Sequence, residues 1–199
     1  LVLAVGTELA EPDVWLDGPL GFRGPLIRID LDPAVLARDY ETAVVIRADA
    51  KARLAALGAK LARIGAAGAG FKGNNENAER RAAERAKLTP LEQKHVKVLD
   101  ALRRAVPRDG MVFTDMTQIV YTGYCFYPCF DPKTWFFPAG YGTLGFALPA
   151  AIGGQLVALR SPTVAMMGDG GFLFTMQELG TAVEQEVDVG QVGAGHRIL

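Results

Sequence analysis

Two cysteines in 199 residues are too few for a disulfide framework. Cys125 and Cys129, spaced C-x-x-x-C with no second pair and no histidine beside them, also make a poor zinc signature. They read as reduced, structural thiols. Charge of one sign is missing as well: 21 Lys and Arg stand against 22 Asp and Glu. That balance leaves no electrostatic footprint for nucleic acid or for an anionic membrane surface. No run of eighteen apolar residues exists, and Leu1 to Val5 is far too short for a signal peptide or a spanning helix. The chain opens without Met in what looks like the middle of a strand, which suggests a piece of something longer. What is present is hydrophobic surface, 50% of residues, enough for one large core or two small ones. A cytoplasmic, enzyme-like module is the plain expectation.

The informative stretch runs from Pro162 to Glu186. Thr163 to Met167 is a short apolar run between Pro162 and Gly168, as a strand buried on both faces should look. The chain then turns on Gly168-Asp169-Gly170-Gly171, where glycines permit positive φ and close approach of a ligand to the main chain. Phe172, Met176, Leu179 and Val183 recur at helical spacing, and Thr175 with Glu178 resembles a capping box, which predicts a helix from about Met176. A strand leading through glycines to a helix N-terminus is where open parallel sheets bind phosphates. Asp169 in the turn would repel a bare phosphate. It therefore points to a divalent cation between carboxylate and phosphate, in the way Mg2+ is commonly held. A plain strand-turn-helix corner with Asp169 as a local cap is the competing reading of these four residues.

Elsewhere the pattern alternates strand and helix. Strands are expected at Leu1 to Val5, Leu26 to Asp30, Ala43 to Arg47 and Met111 to Thr114. Short and long helices are expected at Ala34 to Arg38, after Asp49 with Ala50, Leu54, Leu57 and Leu61 on one face, and after Thr89-Pro90 with Leu91, His95, Leu99, Leu102 and Val106 on one side. His95 on that stripe reads as a packed, hydrogen-bonded residue. Residues 66–86 are small, polar and charged, and Glu76 to Arg85 could form a solvated helix. Gly140, Gly142 and Gly145 bracket a turn before a buried small-residue helix containing Pro149, so a second glycine loop leaves the same sheet edge as Gly168. The fold class is α/β: two incomplete doubly wound parallel-sheet units, residues 1–64 and 89–199, joined by a polar linker at 65–88.

These residues resemble the thiamine diphosphate-dependent enzymes of the acetolactate synthase and 2-oxo acid decarboxylase type. Gly168-Asp169-Gly170-Gly171-Phe172 with Gln177-Glu178-Leu179 matches the family's metal-diphosphate motif, and Gly142-Thr143-Leu144-Gly145-Phe146 through Pro149-Ala150-Ala151-Ile152-Gly153 matches its second cofactor segment. Ile27 to Pro33 looks like the last strand of the family's central domain. The resemblance implies that Asp169 coordinates Mg2+ and that Gly168, Gly170 and Gly171 lie against the diphosphate. It also implies that Gly142 and Thr143 line the pyrimidine side, that Leu144 props the cofactor into its bent shape, and that Gln118 is a diphosphate-side contact. Ile119 stands where the family often has His, which argues against the acetolactate synthase branch. Asp115 to Gly123 looks closest to decarboxylases acting on the 2-oxo acid of arginine.

Two departures stand beside the match. The family's activating Glu resides in an N-terminal domain that these 199 residues do not contain, so the chain is expected to be inactive alone. The family's metal-binding Asn would fall at His196, after Gln191 to Gly195, where glycine and alanine replace the β-branched residues a central strand prefers. A frameshift or truncation after Val189 accounts for that better than His196 as a ligand, since imidazole suits Mg2+ poorly. The parent protein would act on a small 2-oxo acid as a homo-oligomer, dimer or tetramer. The competing class is a nucleotide-binding or non-catalytic structural or dimerisation module, although G-x-G-x-x-G is missing after Val5.

Overall fold

The computed structural model describes residues 1–9, 24–38, 40–66, 73–158 and 160–193. The breaker-rich loop around Pro12, Gly18 and Gly21 and the position of His196 lie outside them. The chain divides into two compact units, Leu1–Lys72 and Gly73–Leu199.

The first unit is a parallel three-stranded sheet, β1 (Val2–Val5), β2 (Leu26–Asp30) and β3 (Val44–Arg47), in that order, with Val2 opposite Leu26 and Ile27 opposite Val44. Asp32 caps α1 (Pro33–Leu36) through the Ala34 N–H at 2.8 Å, and Asp49 caps α2 (Ala50–Arg63) through the Ala52 N–H at 2.9 Å. Arg28, in the central strand, is fully buried. Its guanidinium donates to the carbonyls of Arg38 (2.8 Å), Thr7 and Glu8 (both 3.4 Å), tying the segments after β1 and α1 to the sheet. The stripe of α2 forms as a helix face but stays exposed: no residue of α2 is buried, Leu54, Leu57 and Leu61 included.

The second unit is a parallel four-stranded sheet in the order β5 (Trp135–Phe136), β4 (Met111–Thr114), β6 (Thr163–Met167), β7 (Gly190–Gly193). Successive side chains along a strand point to opposite faces, and the core divides accordingly. Val112 and Met166 pack on one face with Leu99, Leu102 and Val106 of α4 (Pro90–Ala105) and its end and with Ile119 and Val120 of α5 (Gln118–Phe126). Phe113, Ala165 and Met167 pack on the other with Ala147, Leu148, Ala151 and Ile152 of α6 (Ala147–Val157). Helices thus cover both faces, the doubly wound arrangement. Pro149 sits in the first turn of α6, where its missing N–H removes no helical bond. The small residues of α6 answer to the sheet: a Cβ on Gly154 would stand 2.6 Å from the Phe113 ring, itself stacked on Phe136 at 4.4 Å.

Three expectations need correction. The helix after β6 starts seven residues early, at Asp169: α7 (Asp169–Thr175) is followed by a turn and by α8 (Glu178–Glu184). No capping box joins Thr175 to Glu178, whose carboxylate accepts instead from Thr181 at 3.0 Å. Gly168, Gly170 and Gly171 do not use positive φ, which among the described glycines belongs to Gly6, Gly24, Gly65, Gly142 and Gly145. On α4 the buried stripe runs through Val96, Leu99 and Leu102, and Leu91 is exposed. The solvated helix expected over Glu76 to Arg85 is present within α3 (Gly73–Ala86), whose Arg85 forms a bidentate pair with Asp100 of α4 at 3.0 and 3.1 Å.

Thr89 and Glu92 form a reciprocal capping box at the start of α4. One turn on, His95 Nδ1 lies 3.0 Å from the Thr122 hydroxyl of α5. Burial holds the His95 imidazole below its ordinary value of 6.5, against the opposing pull of Glu92. A depressed histidine binds fewer protons folded than unfolded, so its neutral form supports the fold at higher pH. That support is lost as pH falls below about 6.5 toward the lower folded value. The urea midpoint is therefore expected to drop across this window, and His95→Gln should flatten the drop. An unchanged slope in the variant would remove His95 from the account.

Candidate cofactor site

Three strands of the second unit end side by side, and each hands the chain to a helix at the same edge. β4 runs through Asp115 into α5, β5 through the glycine loop into α6, and β6 through Gly168 into α7. The first four N–H groups of each helix lack intrahelical partners. None of the three N-cap residues, Thr117, Phe146 or Gly168, makes a side-chain cap.

At α6 the chain supplies a substitute from another strand. Asp115 is 0% exposed, and its carboxylate accepts the Gly145 N–H at 2.9 Å and the Ala147 N–H at 2.8 Å. Gly142 (φ 69°) and Gly145 (φ 80°) take the left-handed conformation that lets the loop fold back onto this carboxylate. Behind Gly142 lies Met116, whose sulfur receives the Tyr124 hydroxyl at 2.8 Å. Burial, with the neighbouring Tyr121, pushes the Tyr124 phenol up to about 12, so it serves as a neutral donor.

The N-cap residues of α5 and α7 give no side-chain cap, and the Val120 N–H of α5 donates to the Thr117 carbonyl at 2.9 Å. The Thr117 hydroxyl is buried without a hydrogen-bond partner, and its Cγ2 lies 3.7 Å from where a Gly168 Cβ would stand. A Cβ on Gly170 would meet nothing within 4 Å, whereas one on Gly171 would overlap the Asp115 carboxylate. Asp169, the first residue of α7, is exposed, with Oδ1 accepting the Gly170 N–H at 2.8 Å. On the loop side, Thr143 and Leu144 are exposed, Leu144 by 48%. Gln118 opens α5 with its side chain in solvent.

The donor set can be tested against a metal-bound diphosphate on these observations. Uncapped N–H groups and an orphaned hydroxyl suit anionic oxygens. One exposed carboxylate suits a hard cation that completes its shell elsewhere. Among the described residues no cluster of three or more His, Cys, Asp or Glu side chains could hold a metal by itself. The residues fit a cation shared between one carboxylate and a phosphate ligand.

Residues 115–192 match the family model described as thiamine pyrophosphate enzyme, C-terminal TPP binding domain. That match assigns residues 115–192 to this domain family. It is 45% identical over 188 residues to the probable 2-ketoarginine decarboxylase AruI of Pseudomonas aeruginosa, an alignment covering 93% of this chain and 33% of that protein. Over 102 residues it is 34% identical to the acetolactate synthase isozyme 3 large subunit of Escherichia coli, covering 51% and 18%. It is 35% identical over 92 residues to the sulfoacetaldehyde acetyltransferase of Alcaligenes xylosoxydans xylosoxydans, covering 46% and 15%. The chain thus spans about a third of the first relative and less than a fifth of the other two.

The thiamine pyrophosphate domain was legible in its two glycine motifs. The sequence reading missed Asp115 and Thr117 as parts of the site. Asp115 could have been found as an acid ending an apolar strand, but nothing local says that its partners lie thirty residues on. Cys125 and Cys129 are free, with the Cys129 thiol pushed up by burial. No helix of the described residues is long and apolar enough to cross a membrane.

Proposed function

We propose that this chain holds the diphosphate end of thiamine diphosphate and its Mg2+ within an enzyme that decarboxylates a 2-oxo acid. The observation that carries the reading is the converging edge, where α6 receives a carboxylate from the protein itself while the N-cap residues of α5 and α7 make no side-chain cap and the buried Thr117 hydroxyl stands unpartnered next to Gly168. Asp169 would hold Mg2+, and Gly168, Gly170, Gly171, Thr117 and Gln118 would lie on the diphosphate side. Gly142, Thr143 and Leu144 would meet the pyrimidine side, with the exposed Leu144 side chain available to support a ring face. When bound, the cofactor supplies the carbanion chemistry that a 2-oxo acid needs to lose carbon dioxide. The chain's own residues position it and balance its charge.

The similarity to a 2-ketoarginine decarboxylase along 93% of the chain supports a 2-oxo acid of that kind as substrate. Residues 1–64 are read as the end of a central domain and 89–199 as the diphosphate domain. Leu173, Phe174, Met176 and Val183, exposed along α7 and α8 beside the site, support assembly into a dimer or tetramer. Free thiols at Cys125 and Cys129 suit a reducing, cytoplasmic setting.

Calorimetry tests the reading. Thiamine diphosphate should bind in the presence of Mg2+ and lose that binding in EDTA. Binding of a dinucleotide without metal, or no uptake of thiamine diphosphate under either condition, would overturn it in favour of a nucleotide-binding or structural module.

A further inference from the structure

The edge of the sheet contains one buried charge that the binding residues above do not use. Asp115 touches three segments at once: it follows β4, it accepts N–H groups on either side of Phe146, and its Oδ2 occupies the space a side chain at Gly171 would need. Gly145 is further confined, since a Cβ there would stand 3.1 Å from Phe174 Cβ and from Thr175 Cγ2 of α7. The loop bearing Gly142, Thr143 and Leu144 therefore has a fixed point at its C-terminal end, and that fixed point is a carboxylate from a neighbouring strand.

Two physical effects act together at this position. A carboxylate accepting backbone N–H groups makes charge-assisted bonds, stronger than neutral ones. It also stands at the N-terminal end of α6, where the helix dipole favours negative charge. Phe146 gives that helix no cap of its own, so the work falls to Asp115. From this we infer that Asp115 is a positioning residue. Its carboxylate acts as a cap from a distance that fixes the Gly142–Gly145 loop in a cofactor-ready form before any ligand arrives, and so governs affinity for the thiamine half of the cofactor. The inference rests on the proposed function for the ligand but not for the loop.

The test uses the whole chain and two readouts. In cofactor-free protein, hydrogen exchange at the Gly145 and Ala147 amides should be at least about tenfold faster in Asp115→Asn, because an amide side chain can satisfy only one of the two N–H groups. With Mg2+ present, Asp115→Asn should weaken thiamine diphosphate binding about tenfold while inorganic pyrophosphate, which does not need the loop, stays within about twofold. Asp115→Ser, smaller and able to accept one bond, provides the same comparison if the amide variant folds poorly. Unchanged exchange at both amides would overturn the inference, as would equal weakening of both ligands, which would make Asp115 a general scaffold. Failure of the wild-type chain to bind thiamine diphosphate would sink the functional reading and leave the exchange result to decide Asp115 by itself.

Discussion

Asp169→Ala should raise the dissociation constant for thiamine diphosphate in Mg2+ by about a hundredfold or more, equivalent to about 3 kcal/mol. The magnitude follows from the donor set: Asp169 is the exposed carboxylate of the Gly168–Gly171 stretch, whereas Asp115 is buried and engaged with two backbone N–H groups, so loss of Asp169 leaves the cation with phosphate oxygens and neutral ligands. The same substitution should shift the unfolding free energy by no more than about 0.5 kcal/mol, since the side chain is exposed and its hydrogen bond is to the N–H of its own neighbour, Gly170. Calorimetry beside urea denaturation separates the two. If affinity survives and stability falls, Asp169 is a helix cap, and the plain structural corner is the better account.

Gly171→Ala is expected to act in the opposite manner, through stability. In an exposed helix the change would favour folding by about 1 kcal/mol. Here the new methyl would enter the space of Asp115 Oδ2, and that carboxylate cannot swing aside without releasing the Gly145 and Ala147 N–H groups. Overpacking costs about 1–3 kcal/mol, and each charge-assisted bond disturbed adds about 1.5–3. A net loss of about 2–4 kcal/mol should appear in the urea midpoint, with part of it recovered in Asp115→Ser/Gly171→Ala, where the obstruction is removed. A stabilised Gly171→Ala protein would show that Asp115 moves freely and is no fixed point.

These two positions also show what a linear reading can and cannot reach. The Gly168–Gly171 stretch was placed correctly at the end of β6, but it opens a helix and was expected as a turn for a partly mistaken reason. Backbone freedom is used at Gly142 and Gly145, whereas Gly171 is small because a residue fifty-six positions earlier needs its space. Spacing along the chain carries no trace of that requirement. The start of α7 was misplaced because Thr175 and Glu178 have the right separation for a cap, and only the turn at Met176 and Gln177 shows that they flank a break. β5 has two residues, Trp135 and Phe136, too few for alternation to register. By contrast β4 and β6 were legible, because each is a short, mostly apolar run closed by an acid or a glycine, and a strand buried on both faces has little freedom to look otherwise. The stripe of α2 was legible as a pattern, yet its exposure was not, since among the described residues none of its unit covers it.

The two halves of the site hang from supports of unequal stiffness. β6 is bonded to β4 on one side and β7 on the other, so Asp169, two residues past its end, follows a strand held from both sides. The loop carrying Leu144 grows from β5, a two-residue edge strand held by β4 alone. Its far end at Gly145 lies against Phe174 and Thr175 of α7, so a change to the outer loop that spares the strand end is best made at the exposed Thr143 and Leu144, away from that contact.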